Sequence, residues 1–586
     1  VVRRVALGSV GVTLLLLVGL VGCGISRSGP SDEGDAAVAG GAASTDSELK
    51  KPPLPDSAFT ADGLVRDFLS AAVGGGKAGN DQAKAFLNQH ALERWREAAN
   101  PENPPMTIIR LLHPLTAGAV TGDRTPVIVD YQVVGYLSDS GRVDDVLEPT
   151  VLSMTFHVVP DASNLRIDEI TNYPQPGLML SDEALNSYYR LQPIYFWGDT
   201  SYRSLVPDLR YVSLTDPADV RAGRLVRSLV AGPSAWNSTL QPVRGVAGGD
   251  VLSEDGGLTV KFTADGPALD SDGLRRLLLQ VQWTLHSPSS GSANSPSVRL
   301  VIDGKTQDVS PSPDSRDFLA ANRTSNFEAP AQRYDITEGK VVSSSGGTSP
   351  QGALAAAENQ SVAYAAVARG GAVAAFVRAE GNGRRSLRIV RDGVVVETGL
   401  KGFADMGRPV FVPDSNDSLL IVYGGRLYAV SAVDGAVNDV TRGGGQVTSV
   451  SVSSDGRRVA FVANEQAYVT SLGVVNNNIL VGSNPRPLLT GQAAHAITWL
   501  SESWLAVANP PSVAGASVLW RVTADGVVAQ NLSESLKGVI VTDLVAYPAY
   551  PPRNSVDLLA FTPQGVYSLT SSLAPESAVR APFFGS

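Results

Sequence analysis

Apolar residues recur at helical spacing in a few segments of the first half of the chain, and at strand spacing over most of the rest. Leu64, Val65, Phe68, Leu69 and Ala72 share one helical face. Thr60 stands where an N-cap belongs, and Gly74-Gly75-Gly76 breaks the helix. A second helix is predicted to carry Ala85, Phe86, Leu87, Leu92 and Trp95. Alternation then takes over in Val127, Val129, Tyr131 and Val133. It recurs in Leu152, Met154, Phe156 and Val158 against Ser153, Thr155 and His157. From Tyr188 to Asp303 the predicted order is strand, strand, helix, strand, helix, strand. The first helix opens at Asp216-Pro217, read as cap and N1 proline, and buries Leu225, Val226, Leu229 and Val230. Leu258 to Phe262 reads as a strand, and Ser271 or Asp272 as the cap of a helix with Leu274, Leu277, Leu278, Val281 and Leu285 on one side. Val298 to Ile302 closes the unit.

From Gln360 onward the pattern repeats. Short apolar strands recur near Val373, Val410, Val450, Ile497 and Leu544, each followed by a second apolar run. Asp-Gly turns punctuate them at Asp392, Asp434, Asp455 and Asp525. The period of about 45 residues is that of a four-stranded propeller blade, and about five such repeats are legible. Closing strands near Tyr334 or Val579 to Phe584 would raise the number. A two-sheet sandwich is the competing all-β arrangement.

The N-terminus carries a different signal. Arg3 and Arg4 precede an apolar run from Val10 to Val21, which ends in Leu20-Val21-Gly22-Cys23. Cys23 is the only cysteine. The segment resembles the bacterial lipobox, which implies cleavage between Gly22 and Cys23 and conversion of Cys23 to N-palmitoyl, S-diacylglycerol cysteine. An uncleaved anchor is the alternative, because Val5 to Gly22 is nearly long enough to span a membrane. Each buried methylene of an acyl chain would add about 0.8 kcal/mol of anchoring. Gly24 to Asp56 is rich in Gly, Ser, Ala and Asp, and reads as a tether spanning roughly 30 Å root-mean-square.

Composition narrows the function. With 586 residues the chain has room for about three to five domains. Its 43% hydrophobic and 18% charged content excludes global disorder. A net charge of −10 argues against nucleic acid as a partner. One cysteine and five histidines exclude intrachain disulfides and leave little for a metal site. Val301-Ile302-Asp303-Gly304-Lys305-Thr306 imitates a P-loop end, but Arg299 replaces the first glycine, so a strand-ending turn is expected. Asp270-Ser271-Asp272-Gly273 echoes a calcium loop without its bidentate Glu, and is expected to start a helix. No catalytic residue, metal site or cofactor is expected. His90, His113, His157, His286 and His495 are scattered over different elements. Arg384 and Arg385, with Arg388 and Arg391, fall in a predicted blade loop and strand; a solvated edge is the plain reading, a contact for an acidic partner the sharper one. Trp499, Trp504 and Trp520 lie within one blade, where an exposed tryptophan would be a binding anchor.

Several segments carry resemblances. The helices and strands up to Arg166-Ile167-Asp168-Glu169 resemble an NTF2-like cone. Arg224 to Pro233 with Leu258 to Phe262 resemble the GerMN domain of spore-germination proteins. Ser453-Ser454-Asp455-Gly456-Arg457-Arg458-Val459-Ala460-Phe461 resembles the turn of TolB-like blades. The expected architecture is therefore multidomain: an N-terminal α+β, NTF2-like region, an α/β GerMN-like domain and a C-terminal all-β propeller. The boundaries expected are 1–22 for the signal peptide, 23–57 for lipidated cysteine and tether, 58–180, 188–304, a linker over 305–358, and the propeller over 359–586. This order resembles the actinobacterial LpqB lipoprotein family. The resemblance implies a non-enzymatic protein lipid-anchored through Cys23 on the extracytoplasmic face of the cell membrane. It also implies a partner, the extracellular domain of the sensor histidine kinase MtrB, whose control of envelope homeostasis and division the protein would modulate. The alternative is a propeller that binds or hydrolyses envelope polysaccharide or peptidoglycan, drawing on Asp414, Asp417 and Asp455. Domains separable at the Ser/Gly/Pro-rich stretch 343–350 are expected as well.

Cys23→Ser is expected to abolish metabolic labelling by a fatty-acid analogue that tags the wild type. Equal labelling of both would refute lipidation at this residue.

Overall fold

The computed structural model describes residues 51–585 apart from 97–99, 101–104, 145, 147–150, 175–176, 255–256, 286–296, 310–315, 324–331, 345–351, 414–416, 443, 476–477, 512–514, 533–537, 549–556 and 570–579. Gly22, Cys23, the tether to residue 50, His286 and Asp414 lie outside the described residues. Helix α1 (Ala61–Ala71) starts as expected: Thr60 Oγ1 accepts from the Gly63 N–H at 3.2 Å, and Leu64, Val65, Phe68 and Leu69 are buried. Gly74, Gly75 and Gly76, all in the left-handed region, turn the chain into α2 (Gly76–Lys84). The expected second helix is two helices, α2 and α3 (Gln89–Arg94). Between them Phe86 and Leu87 bury their side chains, and the backbone there bonds to Ile167 instead of continuing a helix.

Six strands follow: β1 (Met106–Leu111), β2 (Thr125–Leu137), β3 (Val143–Asp144), β4 (Val151–Asp161), β5 (Asn164–Thr171) and β6 (Leu178–Ser181). Their order is β5-β4-β2-β1-β6 with β3 beside β2, and only β6 runs parallel to its neighbour. The curled sheet wraps α1, and Phe68 packs edge-on against Phe86 and Phe156. Helix α4 (Asp182–Tyr188), capped by Ser181, leads to the next domain.

That domain opens with a two-stranded ribbon, β7 (Tyr189–Trp197) and β8 (Leu205–Ser213). Helix α5 (Ala218–Ala231) follows, then β9 (Gly245–Glu254), β10 (Gly257–Asp265), α6 (Ser271–Leu285), β11 (Val298–Ile302) and β12 (Lys305–Thr306), in sheet order β12-β11-β10-β9. β9 was not legible in the sequence, because Gly248-Gly249 interrupts its alternation. Gly249, at φ +135°, lets α5 lie against the strand; a Cβ there would sit 2.6 Å from Val226 Cγ1. Two helix starts differ from expectation. Pro217 is the N-cap of α5 rather than N1, and Asp216 is ion-paired to Arg224 at 2.9 Å. α6 is capped by Asp270, whose Oδ1 accepts from the Gly273 N–H at 2.7 Å. The P-loop-like segment is the tight turn between β11 and β12.

The C-terminal part is a propeller. Among the described residues six sheets surround one axis, spanning 362–403, 410–439, 447–488, 496–531 and 543–568, plus a sixth that joins Arg333–Thr337 and Lys340–Ser343 to Arg580–Phe584. The innermost strands of all six line a common axial cavity, which a sandwich would not create. The stretch expected as a linker, 305–358, therefore supplies two strands of the closing blade. It also supplies a short helix, Arg316–Ala321, whose Phe318 stacks on Trp283 with ring centroids 4.6 Å apart. Periodicity alone leaves this blade out because its strands come from opposite ends of the domain, but the closing strands suggested near Tyr334 and toward Phe584 are the ones that form it.

The turn at Ser453 to Arg458 is held by buried charge. Asp455 and Arg458 are fully buried and ion-paired, Asp455 Oδ1 also accepts from Ser453 Oγ and the Arg457 N–H, and the guanidinium lies 4.7 Å over the Trp499 ring. Asp455→Ala is expected to cost about 3–5 kcal/mol by stranding a buried guanidinium. Arg227→Ala, which breaks an exposed pair with Asp250, should cost under about 1 kcal/mol. Denaturant titration of the two variants checks the difference.

Candidate functional site

Each blade is antiparallel, so the turns joining its first to second and third to fourth strands emerge at one end of the propeller, and second-to-third turns at the other. At the first end, two blades meet the preceding domains. The Asp525-Gly526-Val527-Val528 turn enters the N-terminal domain, where Val527 and Val528 are buried in the same core as Leu64, Phe68 and Ile108. Arg110 fixes the turn: its Nη2 donates to Val527 O at 2.8 Å and its Nε pairs with Asp182 at 2.8 Å. Tyr211 of β8 donates to Asp525 Oδ1 at 3.1 Å, Tyr195 of β7 donates to Glu502 Oε1 at 2.8 Å, and Arg457 pairs with Asp199 at 2.8 Å. Leu209 and Trp236 complete a core with Trp499 and Leu505. The expected loose link between propeller and N-terminal pair is therefore a buried junction.

Burial shifts the junction's tyrosines. Tyr211 is pushed well above the ordinary phenol value by burial and then by the Asp525 carboxylate, so it stays a donor. Tyr189, whose OH accepts from the Gly74 N–H, is pushed up to about 12, chiefly by burial. Asp168 is raised by burial, but the Asn88 hydrogen bond, Arg124 and His90 outweigh this and hold it low. A polar cleft of about 240 Å3 lies where Gly74–Gly76, Ser138–Gly141 and Arg224 meet Tyr189 and Tyr211. No sequence signal marks it, because its walls come from two domains.

At the opposite end Gln132 of the N-terminal domain lies beside the inter-blade loop at Leu489, Thr490 and Gly491, and the blade 362–403 presents its second-to-third turn. Arg384, on the exposed Gly381-Asn382-Gly383 turn, points from this end and pairs with no carboxylate among them. Arg385 is half-buried and committed: it donates to Met406 O at 2.7 Å and lies 5.0 Å from the Tyr364 ring centroid. Arg388 pairs with Glu397, and Arg391 with Asp417 at 2.6 Å. The basic run is thus one exposed cation beside three engaged ones. Phe403, 43% exposed, packs on Tyr423 near this rim. No tryptophan of the trio is exposed: Trp499 is buried, Trp520 is half-buried, and half-buried Trp504 lies under Arg521 against the N-terminal core. His90 bonds Asp168, His495 bonds Thr542 O, His113 is exposed, and His157 is half-buried. Among the described residues no cluster of three or more His, Cys, Asp or Glu forms a metal site, and no helix is long and apolar enough to cross a membrane.

Comparison with known proteins agrees with this architecture segment by segment. Residues 53–186 match the model described as Lipoprotein LpqB, N-terminal domain, residues 193–308 the sporulation and spore germination model, and residues 339–549 the Lipoprotein LpqB beta-propeller domain. Two curated relatives, each described as Lipoprotein LpqB, come from Rhodococcus opacus (strain B4) and Rhodococcus jostii (strain RHA1). Each is 26% identical over 542 residues, which is 86% of this chain and 85% of the relative. Two solved structures are more distant. PorZ, a surface component of the type-IX secretion system of Porphyromonas gingivalis, is 13% identical with a TM-score of 0.27, covering 42% of this chain and 31% of its own. The Cps50 (Swd1) β-propeller of Myceliophteria thermophila is 10% identical with a TM-score of 0.25, covering 35% and 81%. Fold and matches together define a multidomain propeller lipoprotein with a spore-germination-type domain at its centre. The chain belongs to the LpqB lipoprotein family.

The junction's tyrosines make its stability depend on alkaline pH. A phenol with a raised folded pKa contributes fully below the unfolded value of about 10, and that contribution is lost as pH rises through the folded value. The thermal stability of the wild type is therefore expected to fall between about pH 10 and 12. Tyr211→Phe should flatten part of that dependence and cost about 1 kcal/mol at neutral pH.

Proposed function

We propose that this protein is a membrane-anchored, extracytoplasmic accessory factor that binds the outer domain of a sensor histidine kinase, MtrB as the family resemblance implies, and modulates its output without chemistry of its own. The observation that carries this reading is the division of labour between the two ends of the propeller. One end carries the buried junction, in which two blades are engaged. The other presents loops, the exposed Arg384 and the half-exposed Phe403 on a rigid support. An acyl anchor at Cys23 with its tether would confine this surface near the membrane, where even a weak contact gains from high effective concentration. The hydrolase reading is less well supported. Of the carboxylates it would draw on, Asp455 is locked to Arg458 and Asp417 is paired with Arg391.

Purified kinase ectodomain is expected to bind the protein, and Arg384→Glu to weaken that binding about five- to tenfold, more at low salt, as charge reversals at an interface rim do. Arg227→Glu, on the second domain, should leave it unchanged. In reconstituted membranes, kinase autophosphorylation should respond to the anchored protein. No binding and no response, with release of soluble fragments from wall polymer, would replace this reading with the hydrolase.

A further inference from the structure

The propeller axis holds a cavity of about 110 Å3 whose wall is apolar and aromatic, with Phe411, Tyr547 and Phe583 among its lining. Two buried polar atoms of lining residues have no hydrogen-bond partner among the described residues: Ser454 Oγ, on a residue 3% exposed, and Arg408 Nη1. An unmet buried donor is costly, and a native structure keeps one for a reason. Its Nη2 donates to Asp543 Oδ2 at 3.1 Å, and the guanidinium lies 5.6 and 5.3 Å from the Tyr364 and Phe561 ring centroids. The group is thus held in place with Nη1 unmet. Arg385 approaches the same Tyr364 ring, so two guanidiniums stand here, and Asp543 is the one carboxylate within ion-pairing distance of either among the described residues.

We propose that the axial cavity binds a small monocarboxylate with a compact apolar body. The carboxylate accepts from Arg408 Nη1, and the body fills the aromatic wall. The local excess of guanidinium favours an anion over a neutral acceptor, and a planar guanidinium suits a carboxylate. Volume limits the body: an apolar cavity of about 150 Å3 takes benzene, so this smaller one suits a branched aliphatic chain. This inference stands independently of the kinase reading.

The test titrates isovalerate and its uncharged analogue isovaleramide into the purified full chain, followed by calorimetry and by the thermal midpoint. Isovalerate is expected to bind saturably and to raise the midpoint, with the amide at least about tenfold weaker. Arg408→Lys should weaken isovalerate tenfold or more, and Ser454→Ala, at the far end of the axis, should leave it unchanged. Ala546→Phe, which fills the cavity from the wall, should abolish binding; circular dichroism identifies any variant that fails to fold. Equal affinity for acid and amide would overturn the carboxylate assignment. Unchanged affinity in folded Ala546→Phe and Arg408→Lys would place the site elsewhere. Absence of saturable binding by the wild type up to about 50 mM would end the proposal.

Discussion

The arrangement of the three domains depends on burying one hairpin ribbon from both sides. β7 and β8 carry nearly continuous buried residues, an unusual state for two strands with no further partner in their own sheet. Ile194, Phe196 and Val206 face the core of the second domain, while Tyr195 and Tyr211 turn toward the propeller. A ribbon of this kind has no stable surface of its own. It is ordered because α5 and α6 cover one face and the propeller turns cover the other. The Asp208–Arg210 ion pair within β8 shows how completely it is enclosed: both side chains are buried, and Arg210 also donates to Gly232 O at 2.8 Å. Such a pair is tolerated only where hydrogen bonds replace its water.

The same economy governs the propeller turns that reach the ribbon. Asp455 and Asp525 both sit in Asp-Gly turns and both accept from hydroxyls of their own blade, Ser453 and Thr523. Each turn is thereby a preformed shape before it meets another domain. Asp455 spends its remaining capacity on Arg458, which lies over Trp499 inside the blade, while Asp525 accepts from Tyr211 across the junction. One repeat motif thus serves internal packing in one blade and domain docking in the next. Carboxylates that a catalytic reading would single out are structural because their environment has already used their lone pairs.

Local sequence was enough for the elements whose signals are themselves local. The Thr60 cap, the apolar face of α5, the alternation in β2 and β4, and the Asp-Gly period of the blades could all be read from neighbouring residues. Spacing and capping are properties of short segments, so the sequence by itself determined a multidomain chain with a propeller at its end. What it left open depends on residues far apart. The closing blade unites Arg333–Thr337 with Arg580–Phe584, and neither segment repeats with the period on its own. β9 hides behind glycines whose purpose, close approach of α5, exists only after folding. The roles of Arg384 and Arg385 diverge although they are adjacent, because Met406, from the loop after Phe403, and Tyr364, from another strand, engage only the second. Ser454 and Arg408 line one cavity only because the ring of blades closes. Which polar groups are spent and which are free is a matter of long-range burial, and tertiary structure alone decided it.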